Sequence, residues 1–119
     1  TYSLLSDNMA VEPGMRRVQI YVAHNGKAPF TQWMHSLRDT QTKARILTRI
    51  DRVRLGNLGD CESVGTGVYE MRIHFGPGYR VYFGLHGAEV VLLLCGGDKS
   101  SQTRDIEMAK SYWREFNEP

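Results

Sequence analysis

The sequence predicts an α+β domain in which helices pack on an antiparallel-rich sheet of four strands, in the order β-α-α-β-β-β-α. Three observations carry this. Apolar and polar side chains alternate from Tyr69 to Phe83 on both sides of a Gly76-Pro77-Gly78 turn signal. The run Val90–Cys95, "VVLLLC", is apolar without alternation, as a strand covered on both faces would be. Three further segments repeat apolar residues at helical spacing.

The elements follow in order. Arg17–Ala23 alternates Val18, Ile20 and Val22 against Arg17, Gln19 and Tyr21, and reads as a first strand ended by Asn25-Gly26. Pro29 suits the first turn of a helix whose Phe30, Trp33, Met34 and Leu37 share one stripe. A second helix runs from about Thr42 to Leu55 on Ile46, Ile50 and Val53, and Gly56 stops it. In the hairpin, a three-residue Gly-Pro-Gly loop pairs Phe75 with Tyr79, His74 with Arg80, Ile73 with Val81 and Arg72 with Tyr82. His86-Gly87 then turns into a strand over Glu89–Cys95, central in the sheet, with the first strand as its other neighbour. Gly96-Gly97 is expected to break that strand and leave Lys99 on a glycine-flexed loop. Ser100 or Ser101 would cap a last helix on Ile106, Ala109, Trp113 and Phe116. At that spacing, Trp33, Tyr112, Trp113 and Phe116 read as core or interface.

Composition bounds the function classes. At 119 residues, 41% hydrophobic and 24% charged, the chain has the make-up of one soluble domain, expected over residues 16–119. No apolar run approaches the roughly 20 residues of a membrane span, and a cytoplasmic protein is expected. Residues 1–15 lack a basic n-region and an apolar h-region. They read as a flexible segment outside the fold, with Met9 or Met15 as a possible start. Cys61 and Cys95 have no metal-ligand spacing and read as free thiols. His24, His35, His74 and His86 form no HxH or HxxxH pair, so no metal or cofactor is expected. Glu62 and Glu70 suggest no paired-carboxylate chemistry.

The net charge of +2 is unevenly spread. Nine Lys and Arg stand against Asp39 and Asp51 between Arg16 and Arg54, whereas Asp105–Pro119 holds four acids and two bases. On the second helix, Arg45, Arg49 and Arg52 share a flank at spacings of four and three, a candidate phosphate track with Lys43 nearby. One hairpin face gathers Glu70, Arg72, His74, Arg80 and Tyr82. Antiparallel sheets often leave such a face to solvent. Here Glu70 is the one nearby carboxylate the pattern offers to two guanidiniums, which favours an anionic ligand.

The stretches "VYEMRIHFGPGYRVYF" and "VVLLLCGGDKSSQTRDIEMAKSYWREF" resemble the RelE/HigB-type toxins of bacterial toxin–antitoxin modules, in the branch described as phage-derived or addiction-module killer proteins. The resemblance covers about Arg16 to Phe116. It implies a compact, microbial-RNase-like fold and a toxin that cleaves mRNA on the translating ribosome. A cognate antitoxin, expected to be a helix-turn-helix protein, would silence it, and operator DNA would be met only through that complex. The implied chemistry is metal-free attack of a 2′-hydroxyl on the adjacent phosphate. Arg72 and Arg80 match the family's strand arginines and would stabilise charge. Lys99 is the first candidate for proton transfer and His74 the second; Tyr82 would orient substrate, and Lys43, Arg45, Arg49 and Arg52 would hold RNA backbone. Well-known members place a tyrosine or histidine acid near the chain end; Tyr112 reads here as packing, and the role is not carried over. Two other classes stay open: a ParE-like inhibitor of DNA gyrase, and a module that only binds its antitoxin or nucleic acid.

Overall fold

The computed structural model describes residues 15–87 and 90–119; the expected flexible segment at residues 1–15 lies, apart from Met15, outside them. The elements are β1 (Arg17–Ile20), α1 (Pro29–Ser36), α2 (Thr40–Arg54), β2 (Cys61–Gly65), β3 (Val68–Ile73), β4 (Tyr79–His86), β5 (Val90–Asp98), a short 3-10 turn at Lys99–Ser101, and α3 (Gln102–Asn117). The α+β class is as expected, but the sheet has five strands in the order β1-β5-β4-β3-β2. The added strand is β2, "CESVG", which the sequence reading passed over. It is short, glycine-rich nearby and half solvated, and it pairs with β3 through a turn in which Gly65, Thr66 and Gly67 all take positive φ. The strand β1 runs parallel to β5 and every other neighbour pair is antiparallel, so the sheet is mixed. As expected, β5 lies inside the sheet between β1 and β4.

The hairpin register differs from the expected one. Ile73 pairs with Tyr79, Arg72 with Arg80, Met71 with Val81 and Glu70 with Tyr82. The turn takes residues 74–78 rather than three, because Gly78 N–H bonds Phe75 O (3.1 Å) and Phe75 N–H bonds Ile73 O (3.0 Å). Phe75 thereby leaves the strand and packs against the core. The slip is an even one, so each side chain keeps its expected face.

Gly96 and Gly97 do not break β5, which continues to Asp98. Their lack of a side chain serves packing instead. A Cβ on Gly96 would stand 2.2 Å from the Trp33 ring, and one on Gly97 would collide with the Asp105 carboxylate. Lys99 therefore follows a strand and opens the 3-10 turn, not a flexible loop. Asp98, rather than a serine, caps that turn by accepting the Ser100 N–H at 2.8 Å. Ser101 occupies the α3 N-cap position without a side-chain cap bond.

Both faces of the sheet are covered. Phe30, Met34, Ile46, Ile50 and Val53 of α1 and α2 bury Val18, Met71, Ile73, Val81, Phe83, Val91 and Leu93. On the opposite face, Ile106, Ala109, Tyr112 and Trp113 of α3 cover Val68, Tyr82, Leu92 and Leu94. A shift of register between Tyr82 and Phe83 inserts Leu94 as an extra residue, so Leu94 and Cys95 both reach the α3 side. Among the described residues, no helix is long and apolar enough to cross a membrane.

The Trp33–Gly96 contact yields a test. Gly96→Ala should destabilise the protein by about 1–3 kcal/mol through overpacking. Combined with Trp33→Leu, the loss should be smaller than the sum of the two single changes, as followed by thermal unfolding.

Candidate functional site

Strand pairing assembles the charged centre. Glu62 on β2 stands across from Glu70 on β3, and Arg72 stands across from Arg80 on β4. Like charges placed opposite one another repel, so each pair needs the other. Glu70 is 1% exposed. Arg72 Nε donates to Glu70 Oε1 at 3.1 Å, and Gln102 Nε2, from the first turn of α3, donates to Glu70 Oε2 at 2.8 Å. Arg80, its side chain 13% exposed, holds Nε 3.6 Å from Glu70 Oε2, an ion pair beyond hydrogen-bond reach, and donates from Nη1 to Gly78 O at 3.3 Å. The outer nitrogens of Arg72 reach Asp60 Oδ1 at 3.2 Å and the Glu62 carboxylate. The backbone holds Asp60 in place, since Arg72 N–H bonds Asp60 O at 3.0 Å.

This corrects a premise drawn from the sequence. Arg72 has three carboxylate partners, not Glu70 alone, and Glu62 and Glu70 do form a pair across two strands, joined through Arg72. The signal was present in "DCES": Asp60 and Glu62 stand two residues apart, the first just before β2 and the second on it, and both reach Arg72. Hydrogen bonds to Glu62 and Glu70 raise the Arg72 pKa beyond its already high value.

His74 lies in the turn, 76% exposed, with Nε2 at 2.5 Å from Asp60 Oδ2. That hydrogen bond, reinforced by the charge of Arg72, holds the Asp60 carboxyl below its ordinary value of 3.8. Asp60 thus orients both the imidazole and one edge of the Arg72 guanidinium.

A cleft of about 510 Å³ runs between this centre and α2. Arg45, Thr48, Arg49 and Arg52 form one wall; Asp60, Arg72, His74 and Phe75 form the other. The Arg45 guanidinium carbon sits 4.3 Å over the centre of the Phe75 ring. Arg49 donates from Nη2 to Leu58 O and approaches the Cys61 sulfur at 3.8 Å, while its Nη1 is buried without a hydrogen-bond partner. Burial pushes the Cys61 thiol pKa up.

Of the residues singled out from the sequence, Arg45, Arg49, Arg52, Arg72 and His74 meet at this cleft. Lys43 is not on its walls. Arg80 lies behind Arg72 with its charge directed at Glu70. Tyr82 is fully buried, its hydroxyl has no hydrogen-bond partner, and burial followed by the nearby Glu70 raises its pKa. Tyr82, expected to orient a substrate, therefore lies in the core beneath α3 and not on the cleft walls. Lys99 is exposed on a separate depression with Gln102, Thr103 and Arg104. Asp60, Glu62, Phe75 and Gln102 are site residues that sequence reasoning missed. Only the acids of "DCES" had a signal. Among the described residues, no three His, Cys, Asp or Glu side chains stand where they could hold a metal ion.

Two tests follow from this network. Glu70→Ala removes the carboxylate that Arg80 is ion-paired with and should cost about 3 kcal/mol, near the low end for a broken buried pair because Arg72 retains Asp60 and Glu62. The urea midpoint should fall with little change in slope. Asp60 has a lowered pKa, so its contribution to stability is present above its ordinary value of 3.8 and is lost as pH falls through the lowered folded value. Asp60→Asn should accordingly flatten the acid limb of a stability–pH curve below about pH 4.

Comparison with known proteins places the chain. Residues 32–114 match the family model described as phage derived protein Gp49-like (DUF891). That span includes α2, all of the cleft and most of α3. An uncharacterized protein of Haemophilus influenzae is 48% identical over 81 residues, covering 68% of this chain and 82% of that relative. The chain belongs to the Gp49-like family of phage-derived proteins.

Proposed function

We propose that this protein is the toxin of a toxin–antitoxin module and acts as a ribosome-dependent mRNA endoribonuclease. Membership of a phage-derived family and the resemblance to RelE/HigB-type toxins support a toxin. The single observation that carries the nuclease reading is the cleft, where four arginines and an exposed imidazole face one another with Asp60 as the one carboxylate on the walls among the described residues. Such a surface suits a phosphodiester.

In this reading Arg49 and Arg52 hold the RNA backbone along α2, and Arg72 faces the phosphate that reacts. His74, oriented by Asp60 through Nε2, takes the proton of the attacking 2′-hydroxyl on Nδ1. The 2′-oxygen bonds to phosphorus and the bond to the 5′-oxygen breaks, leaving a cyclic phosphate and a 5′-oxygen that takes a proton from solvent water to become a 5′-hydroxyl. Arg72 stabilises the charge that builds on the phosphoryl oxygens. Arg80 acts from behind, by fixing Glu70 and thereby Arg72. His74 takes precedence over Lys99 because His74 lines the cleft and Lys99 does not. A helix-turn-helix antitoxin that covers the cleft would silence the toxin.

Mapping mRNA 5′ ends after brief induction tests the reading. The wild type should produce new cuts inside coding regions, His74→Ala should lower them by about 10²-fold or more, and Lys99→Ala should cut nearly as well as wild type. Growth arrest without cuts, equal in all three proteins, would overturn the nuclease reading in favour of gyrase inhibition. No arrest in any would favour a binding-only module.

A further inference from the structure

The positive charge at the cleft is not evenly available. Arg72 is matched by Asp60, Glu62 and Glu70. Arg49 spends one nitrogen on a backbone carbonyl. Among the described residues, no carboxylate pairs with Arg45 or Arg52, both exposed on the α2 wall. Arg45 differs again from Arg52 in having its guanidinium held over the Phe75 ring at 4.3 Å. Phe75 is itself fixed, since it left the hairpin strand to pack against the core. An arginine placed over an aromatic ring loses much of its rotamer freedom before any ligand arrives. Arg45 is otherwise exposed and lines the cleft, and a guanidinium plane is a surface on which an unpaired nucleobase stacks.

We propose that Arg45, supported from below by Phe75, is a stacking shelf for one unpaired nucleobase of a single-stranded RNA, with that strand's phosphates beside Arg49 and Arg52. The inference rests on the reading of the cleft as an RNA site and adds to it a base-binding position. The ligand class is a single strand, because a paired base offers no free face to the shelf. The shelf is tolerant of sequence, since every base has a π-face.

The test is equilibrium binding at low salt, followed by fluorescence anisotropy, of a short 2′-O-methyl oligoadenylate and of an abasic strand with the same number of phosphates. The methyl group prevents cleavage. Wild type should bind the base-bearing strand about fivefold more tightly than the abasic one. Arg45→Lys keeps the charge and removes the plane, and Phe75→Leu keeps the apolar packing and removes the ring. Either change should bring the two strands to nearly equal affinity. If wild type binds both strands equally, the shelf is overturned and the RNA cleft stands on phosphate contacts alone. If the preference survives Arg45→Lys, stacking occurs elsewhere and the shelf is overturned. If wild type binds neither strand, the shelf is overturned, and the ribosome-dependent nuclease reading is decided separately by the map of mRNA 5′ ends.

Discussion

Glu70 is a carboxylate almost without solvent, placed between two arginines that face each other across β3 and β4. A buried ion pair holds only when its geometry is complete, because desolvation opposes the attraction between the charges. The requirement reaches through the surrounding structure. Gln102 must bring the first turn of α3 down onto the sheet to satisfy Oε2. The glycine at position 97, across from Arg80, lets Asp105 and Ser101 come close enough for that turn to seat. The chain before and within β2 must lie beside β3 so that Asp60 and Glu62 each accept one hydrogen bond from the outer nitrogens of Arg72. A strand that looks dispensable by its solvation thus has an electrostatic reason to be where it is.

The same constraint divides the arginines into two groups. Arg72 and Arg80 are built into the frame, and their charge is largely answered within the protein. Arg45 and Arg52 are presented from α2 with no carboxylate of the described residues to answer them. His74 and Asp60 sit at the boundary, where the frame ends and the cleft begins. Rigid, neutralised charge on one wall and available charge on the other is a sound arrangement for a phosphodiester reaction. In the proposed reading, the reacting group would be held on the stiff side and the polyanion gripped on the other.

Much of this was legible in the sequence, in particular ways. The alternation of Tyr69–Phe83 assigned faces correctly, because side-chain parity survives an even slip of register. It did not give the pairing itself. Gly-Pro-Gly signals a turn, but whether the turn takes three residues or five depends on where Phe75 finds apolar contact, which is a tertiary fact. Gly96-Gly97 was misread for a similar reason. A glycine pair breaks a strand when the backbone needs unusual angles, and here it admits Trp33 and Asp105 instead. The three α2 arginines were legible because helical spacing is local. The Asp60–His74 contact was not, since it joins residues fourteen apart through a strand pairing that glycine-rich sequence concealed.

The central claim is that the surface between α2 and the β3–β4 turn is where this protein meets RNA. The most direct measurement is the map of backbone amide shifts by NMR as a non-cleavable single-stranded oligoribonucleotide is added. The expected map has its largest changes on the α2 flank at Arg45, Thr48, Arg49 and Arg52 and on residues 72–75, with β1 and the C-terminal half of α3 unmoved. Changes centred on α3 or on β1, with the cleft silent, would contradict the account.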